Sequence, residues 1–168
     1  MSVKALRPRP VSVLTLRFKK PIRAPLGFVY RWCTDYRDDD NRFTESIYHY
    51  RVKIALREPS RVVRVITVPG RDANRCTDVE IIELHPPDRW SLTKLSWTDD
   101  ESGSYRLTAK NPSLTLLEMR FRRTWKVGAP PDSDRYRALF NRVWDRYVGV
   151  IESEYARRTD SRPRVRTA

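Results

Sequence analysis

The stretch from Tyr136 to Tyr155 constrains this chain more than any other. Tyr136, Phe140, Val143, Trp144, Tyr147, Val150, Ile151 and Tyr155 recur there at intervals of three and four. That spacing puts all eight on one stripe of an α-helix, and the stripe must be covered by something apolar. Gly128-Ala-Pro-Pro131 stops whatever precedes it, and Asp132 or Ser133 can cap the helix by accepting from its free first-turn N–H groups.

What lies upstream is strand-like. Val11 to Phe18 alternates, with Ser12, Leu14, Leu16 and Phe18 on one face and Val11 and Val13 on the other. From Ile47 to Val127 runs of alternating side chains are punctuated by turn residues at the spacing of a meander. The expected strands are Ile47–Arg57, Arg61–Val68, Arg75–Leu84, Arg89–Thr98, Ser104–Lys110 and Ser113–Val127. Between them lie Glu58-Pro-Ser60, Pro69 to Asn74, His85-Pro-Pro-Asp88, Asp99 to Gly103 and Asn111-Pro112, all rich in turn formers. In the first of the six, Tyr48, Tyr50, Val52, Ile54 and Leu56 share a face opposite His49, Arg51 and Lys53. In the last, Leu117, Met119, Phe121 and Trp125 share one, with Arg120 and Arg122 opposite.

Between the first strand and the meander, Lys19 to Pro25 reads as a turn. Pro25 suits a first helical position, because its fixed φ fits and its missing N–H would be unpaired there. Phe28, Val29 and Trp32 then make a small apolar stripe, and a second helical turn is expected from Asp35 to Thr44. One strand, two short helices, six strands and a long helix bury their apolar faces most simply as an α+β fold in which a curved antiparallel sheet, β-α-α-β6-α, wraps around the C-terminal helix.

Composition sets the limits. The chain has 168 residues, enough for one domain, expected over 11–156 between flexible basic tails at 1–10 and 157–168. Aromatics at 11% argue for a real core. The net charge of +13 is distributed unevenly, three charges falling in the first tail, four in the second and six in the body. Such tails are ordinarily solvated. No apolar run approaches the length that spans a bilayer, and the N-terminus lacks a signal-like apolar stretch, so a cytoplasmic protein is expected. Cys33 and Cys76 form no CxxC or metal spacing, so no zinc site is read, although a bridge between them stays open. Asp35, Asp38, Asp39 and Asp40 lack the Gly and Glu of a calcium loop and read as a solvated face. No metal and no cofactor is expected.

The order of elements, and the run Phe18 to Trp32 with Ile22, Ala24, Pro25, Val29, Tyr30 and Trp32, followed by Asp35, resemble the START-like (SRPBCC) superfamily, in particular its polyketide cyclase/dehydrase and lipid-transport branch. The resemblance implies a helix-grip fold with a cavity between the sheet and the last helix, holding a hydrophobic or amphipathic molecule such as a lipid or a polyketide. Its members include carriers, sensors and cyclases, so function must be argued from the site.

The candidate ligand-binding residues are Tyr48, Tyr50, Trp97, Tyr105, Leu107, Leu117, Met119 and Phe121 from the sheet and Phe140, Trp144 and Tyr147 from the helix, with Trp125 also on a plausible inward face. Tyr and Trp need partners for their polar tips when buried, which suits a lined cavity with a few oriented donors. The alternative for each is simple core packing. A cyclase or dehydratase could use the same cavity, with Glu118 or His49 as the acids and bases to look for, but the sequence assigns no catalytic residue. His49 and His85 otherwise read as surface residues. A third alternative is a basic adaptor for nucleic acid or an anionic membrane surface, working through the tails. No helix-turn-helix, zinc-finger spacing or RNP motif supports nucleic acid. Arg17, Arg51, Arg64, Arg106, Arg120, Arg122 and Arg123, spread over several strands and mixed with acids, read either as ion-pair networks on the outside of the sheet or as the mark of an arginine-rich proteome.

Overall fold

The structure is a computed structural model that describes residues 12–37, 51–69, 75–127 and 132–160. Its elements run β1 (Ser12–Ile22), α1 (Leu26–Thr34), β2 (Arg51–Glu58), β3 (Arg61–Pro69), β4 (Arg75–His85), β5 (Arg89–Leu95), β6 (Asp99–Asn111), β7 (Leu114–Trp125) and α2 (Ser133–Asp160). The seven strands form one antiparallel sheet in the order β1-β7-β6-β5-β4-β3-β2. This is the helix-grip arrangement, and the expected second helical turn lies mostly outside the described residues.

The meander follows from hairpins between consecutive strands, while β1 closes onto β7 through eleven paired residues. That pairing corrects the expected turn at Lys19 to Pro25: β1 continues through Pro21 to Ile22, opposite Leu116 and Thr115. Proline is tolerated there because β1 is an edge strand. Pro25 caps α1 from one position earlier than expected, its carbonyl accepting from Phe28 and Val29. At the other end of the molecule Asp132 caps α2, with Oδ1 accepting from the N–H of Asp134 and of Arg135.

Two strand boundaries also differ. β5 stops at Leu95, and β6 starts at Asp99, where a turn was expected. The polar run from Asp99 to Gly103 is strand because Asp99 and Glu101 find cationic partners on the inward face. On β2 the register shifts between Ile54 and Leu56, so the alternation breaks there and Leu56 turns out to solvent.

The core lies on the face covered by both helices. Leu16, Phe18 and Ile22 of β1, Leu107 of β6, and Leu117, Met119 and Phe121 of β7 are buried there with Val29 of α1 and Ile151 of α2. Each such side chain contributes about 1.5–3 kcal/mol by leaving water. Polar ties fix the helices over it. Thr115 Oγ1 donates to the carbonyl of Ala24 at 2.8 Å, Arg23 N–H donates to Glu152 at 2.7 Å, and Lys20 pairs with Asp145 at 2.6 Å.

Candidate ligand-binding site

The inward face of the sheet consists of rows that run across the strands, and register makes them legible. One row is apolar: Val62, Ile82, Leu92, Gly103, Phe121 and Leu16 stand opposite one another from β3 to β1. The next toward α1 is Leu84, Trp90, Tyr105, Met119 and Phe18. On the other side of the apolar row lies Arg64, Glu80, Lys94, Glu101 and Arg123, one residue from each of five consecutive strands and alternating in sign.

That ionised row is paired along much of its length. Arg64 holds Glu80 Oε2 through Nε at 2.8 Å and Nη2 at 2.5 Å, both side chains nearly withdrawn from water. Lys94 reaches Glu101 at 3.0 Å, Asp99 at 3.6 Å and Asp78 at 3.8 Å. Arg123 pairs with Glu101 at 3.2 Å and with Asp99, and donates to the Tyr136 hydroxyl at 2.7 Å, which joins the row to the first turn of α2. Its guanidinium also lies over the rings of Trp125 and Tyr136.

Burial raises the Glu101 carboxyl above the ordinary value, against the pull of Lys94 and Arg123. For Lys94 burial works downward, but Glu101 and Asp99 outweigh it and leave the ammonium above its usual value. The Tyr136 phenol is raised by burial and then by Glu101, with Arg123 opposing.

A second feature is a run of rings between sheet and helices. Trp90 stacks on Tyr105 at 4.8 Å between centroids, Tyr105 meets Trp144, Trp144 meets Tyr147, and Tyr147 meets Trp32 of α1. Phe140 packs between Phe18 and Phe121. Gly103 explains part of this geometry: a Cβ there would come within 2.8 Å of the Tyr105 hydroxyl, so only glycine lets that ring keep its place. The Tyr30 hydroxyl, beside Trp90, is buried and has no hydrogen-bond partner among the described residues. Tyr36 is also buried, with Arg64 over its ring, and burial holds its phenol well above the ordinary value.

The structure brings together Tyr105, Leu107, Leu117, Met119 and Phe121 with Phe140 and Trp144 on the inward side, and Tyr147 reaches them through its ring contact with Trp144. Trp125 lies there too, edge-on to Tyr136. Trp97 does not join them: it stands 78% exposed after the end of β5 and shares the parity of the outward Leu95 rather than of the inward Trp90 and Leu92. Tyr48, Tyr50 and His49 lie outside the described residues. Glu118 faces outward, where Lys19 at 2.7 Å pulls its carboxyl below the ordinary value, so it is not among the inward acids. His85 is exposed at the end of β4.

Two of the seven arginines read as an outer network, Arg64 and Arg123, are inward. Their parity with Val62 and Phe121 carried that information, but positive charge spoke against burial until the acids opposite them were known. Trp90, Tyr30, Tyr36 and the five members of the ionised row were missed for the same reason or because single aromatic positions carry no periodicity. Burial pushes the Cys33 thiol up to about 12, which removes it as a nucleophile near neutral pH. Among the described residues no group of acids, histidines and cysteines is arranged to hold a metal ion. No described helix is long and apolar enough to cross a membrane.

No protein-family model matches the chain, and no curated protein matches its sequence. Solved structures do match its fold. The Zhui aromatase/cyclase from a Streptomyces species superposes with a TM-score of 0.65 at 15% identity, over 88% of this chain and 96% of the other. Ara h 8.0201 gives 0.59 at 13% identity, over 84% and 99%. A START superfamily protein from Mycobacterium smegmatis gives 0.56 at 12% identity, over 85% and 97%. The fold is therefore START-like, and at these identities the likeness speaks for the fold alone.

Proposed function

We propose that the chain binds a hydrophobic or amphipathic small molecule, lipid-like or polyketide-like, in a cavity between the sheet and α2. One observation carries this reading. Tyr136, Phe140, Trp144, Tyr147 and Tyr155 all keep part of their surface exposed, although the sheet residues Leu117, Met119 and Phe121 are buried. A helix that spends five rings on its inward stripe without sealing them fits a wall that a ligand completes. The buried Tyr30 hydroxyl, with no partner among the described residues, supplies one donor for an oxygen on that ligand.

The test is displacement of a fluorescent apolar dye from the full chain, screened with fatty acids, phospholipids, sterols and aromatic polyketides, alongside native mass spectrometry. At least one class should displace the dye, and Trp144→Ala should weaken that ligand about tenfold or more. A wild-type protein that takes up neither dye nor any of these compounds would sink the reading.

A second reading, a cyclase or dehydratase working in the same cavity, has one specific observation in its favour. The ionised row places Glu101, with a raised carboxyl, beside Lys94 and within the Arg123–Tyr136 contact. These groups can hold and move protons next to an apolar wall. Turnover of a poly-β-ketone substrate that is lost in Glu101→Gln with dye binding retained would favour it over simple binding.

A further inference from the structure

The outward face of the sheet opposes like charges. Arg17 on β1 stands directly across from Arg120 on β7, and Arg106 on β6 directly across from Arg89 on β5. Arg122, two residues along β7 from Arg120, points the same way. Among the described residues Arg17, Arg120 and Arg122 have no acidic partner. Two carboxylates stand close by and both are already held: Glu118 by Lys19, with Arg106 and Lys110 adding to the pull, and Asp100 by Lys126 at 2.6 Å. Opposed cations in adjacent strands sit about 5 Å apart at Cβ and cost stability, so nothing in the fold of the sheet calls for them.

Both helices pack on the other face, and no described element covers this one. Its chemistry narrows the partner. Among the outward residues of β1, β5, β6 and β7 there is no Phe, Tyr or Trp, so there is no platform on which bases could stack. The outward apolar residues Leu95, Val79, Val65, Ile81 and Val63 cluster on β3 to β5, and Ser102 and Ser104 of β6 stand between that cluster and the arginines, while Val13 is cut off from Leu95 by Thr124 and Asp100. What remains is a grid of guanidinium forks interleaved with hydroxyls: Thr15 beside Arg122, Ser102 beyond it, and Ser104 beside Arg120. Planar forks of this kind bind carboxylates bidentately, and hydroxyls donate to the remaining lone pairs.

We infer that the Arg17–Arg120–Arg122 face docks an acidic polypeptide segment of a partner protein. It is separate from the inward site and does not depend on what that site binds.

The experiment measures binding of a fluorescein-labelled oligoglutamate to the full chain at low salt, with labelled single-stranded DNA and phosphatidylserine vesicles as competing probes. The variant Arg17→Ser/Arg120→Ser/Arg122→Ser should bind oligoglutamate at least about tenfold more weakly. Its melting temperature should be equal to or above that of the wild type, since the opposed charges are gone. Arg135→Ser/Arg137→Ser, which removes charge from exposed positions of α2, should stay within about twofold of wild type. Four results would overturn the inference: no binding by the wild type, no loss in the triple variant, an equal loss in the α2 variant, or tighter binding of DNA or vesicles through the same three arginines.

Discussion

At the scale of the residue, Gly103 and Glu101 lie two apart on the same strand and do opposite things. Gly103 is there because of what it lacks. Replacing it with alanine forces the Tyr105 ring off its 4.8 Å stack on Trp90, and Gly103→Ala should cost about 1–3 kcal/mol in urea unfolding. The same variant should lose apolar dye binding, because the ring run starts at that stack. Glu101 is there because of the charge it carries among cations. Its carboxyl is raised in the folded state, so the native protein binds that proton more tightly than the unfolded chain does. Stability from this group is full below the ordinary value of 4.5 and is lost as pH rises through the raised folded value. The stability of Glu101→Gln relative to wild type should therefore climb with pH over the window that opens near 4.5, as measured by urea titrations at a series of pH values. A flat or falling difference would contradict the assignment.

At the scale of the element, α2 is fixed at a few points and leaves most of its stripe less than fully buried. Ile151 is its one residue sealed from solvent among the described ones, so Ile151→Ala should cost about 2–5 kcal/mol. Trp144→Ala, on the half-buried part, should cost stability less than ligand. At the start of the helix, Asp132→Ala removes an acceptor for two N–H groups and should cost about 1 kcal/mol. Both α2 and its cap were legible in the sequence, because a stripe at threes and fours and a preceding Asp are local signals. So was the inward set of β7, where Leu117, Met119 and Phe121 alternate cleanly. What was not legible depends on neighbours distant along the chain. Arg64 looks like a surface residue until Glu80 is known to lie across from it. Asp99 and Glu101 look like a turn until Lys94 and Arg123 arrive from either side. Pro21 looks like a strand stop until β1 is known to be an edge. Trp97 is expected inward for its aromatic bulk, but it shares the parity of the outward Leu95 and follows the end of β5, so both register and strand length put it in solvent.

At the scale of the whole molecule, one sheet carries two faces of different chemistry, and ligand binding should be visible as stability. A molecule that binds only the folded state adds about 2.7 kcal/mol at a hundredfold excess over Kd, a shift of several degrees in melting temperature for a chain of this size. Whichever compound displaces the dye should raise the melting temperature of wild type by that order and leave Trp144→Ala little changed. Opposed arginines on one face and an unsealed ring wall on the other share a physical reading, since each is an unfavourable arrangement in isolation that the proposed partner would relieve.

The ionised row across β3 to β7 has a consequence for how the sheet is assembled. Apolar rows are forgiving, because Ile82 facing the wrong leucine loses little. A charged row is less so: sliding β6 by two residues against β7 so that Glu101 faces Trp125 would set Arg123 across from Gly103 and strip it of its cross-strand carboxylate, whereas the opposite slip would set Arg123 across from Asp99. The same slip between β3 and β4 in one direction would set Arg64 across from Ile82, while the opposite slip would offer it Asp78. Leaving a buried charge alone costs several kcal/mol, comparable to the whole stability of many domains. The five residues thus penalise slips unequally: an alignment that sets Arg123 against Gly103 or Arg64 against Ile82 leaves a buried charge without its cross-strand partner.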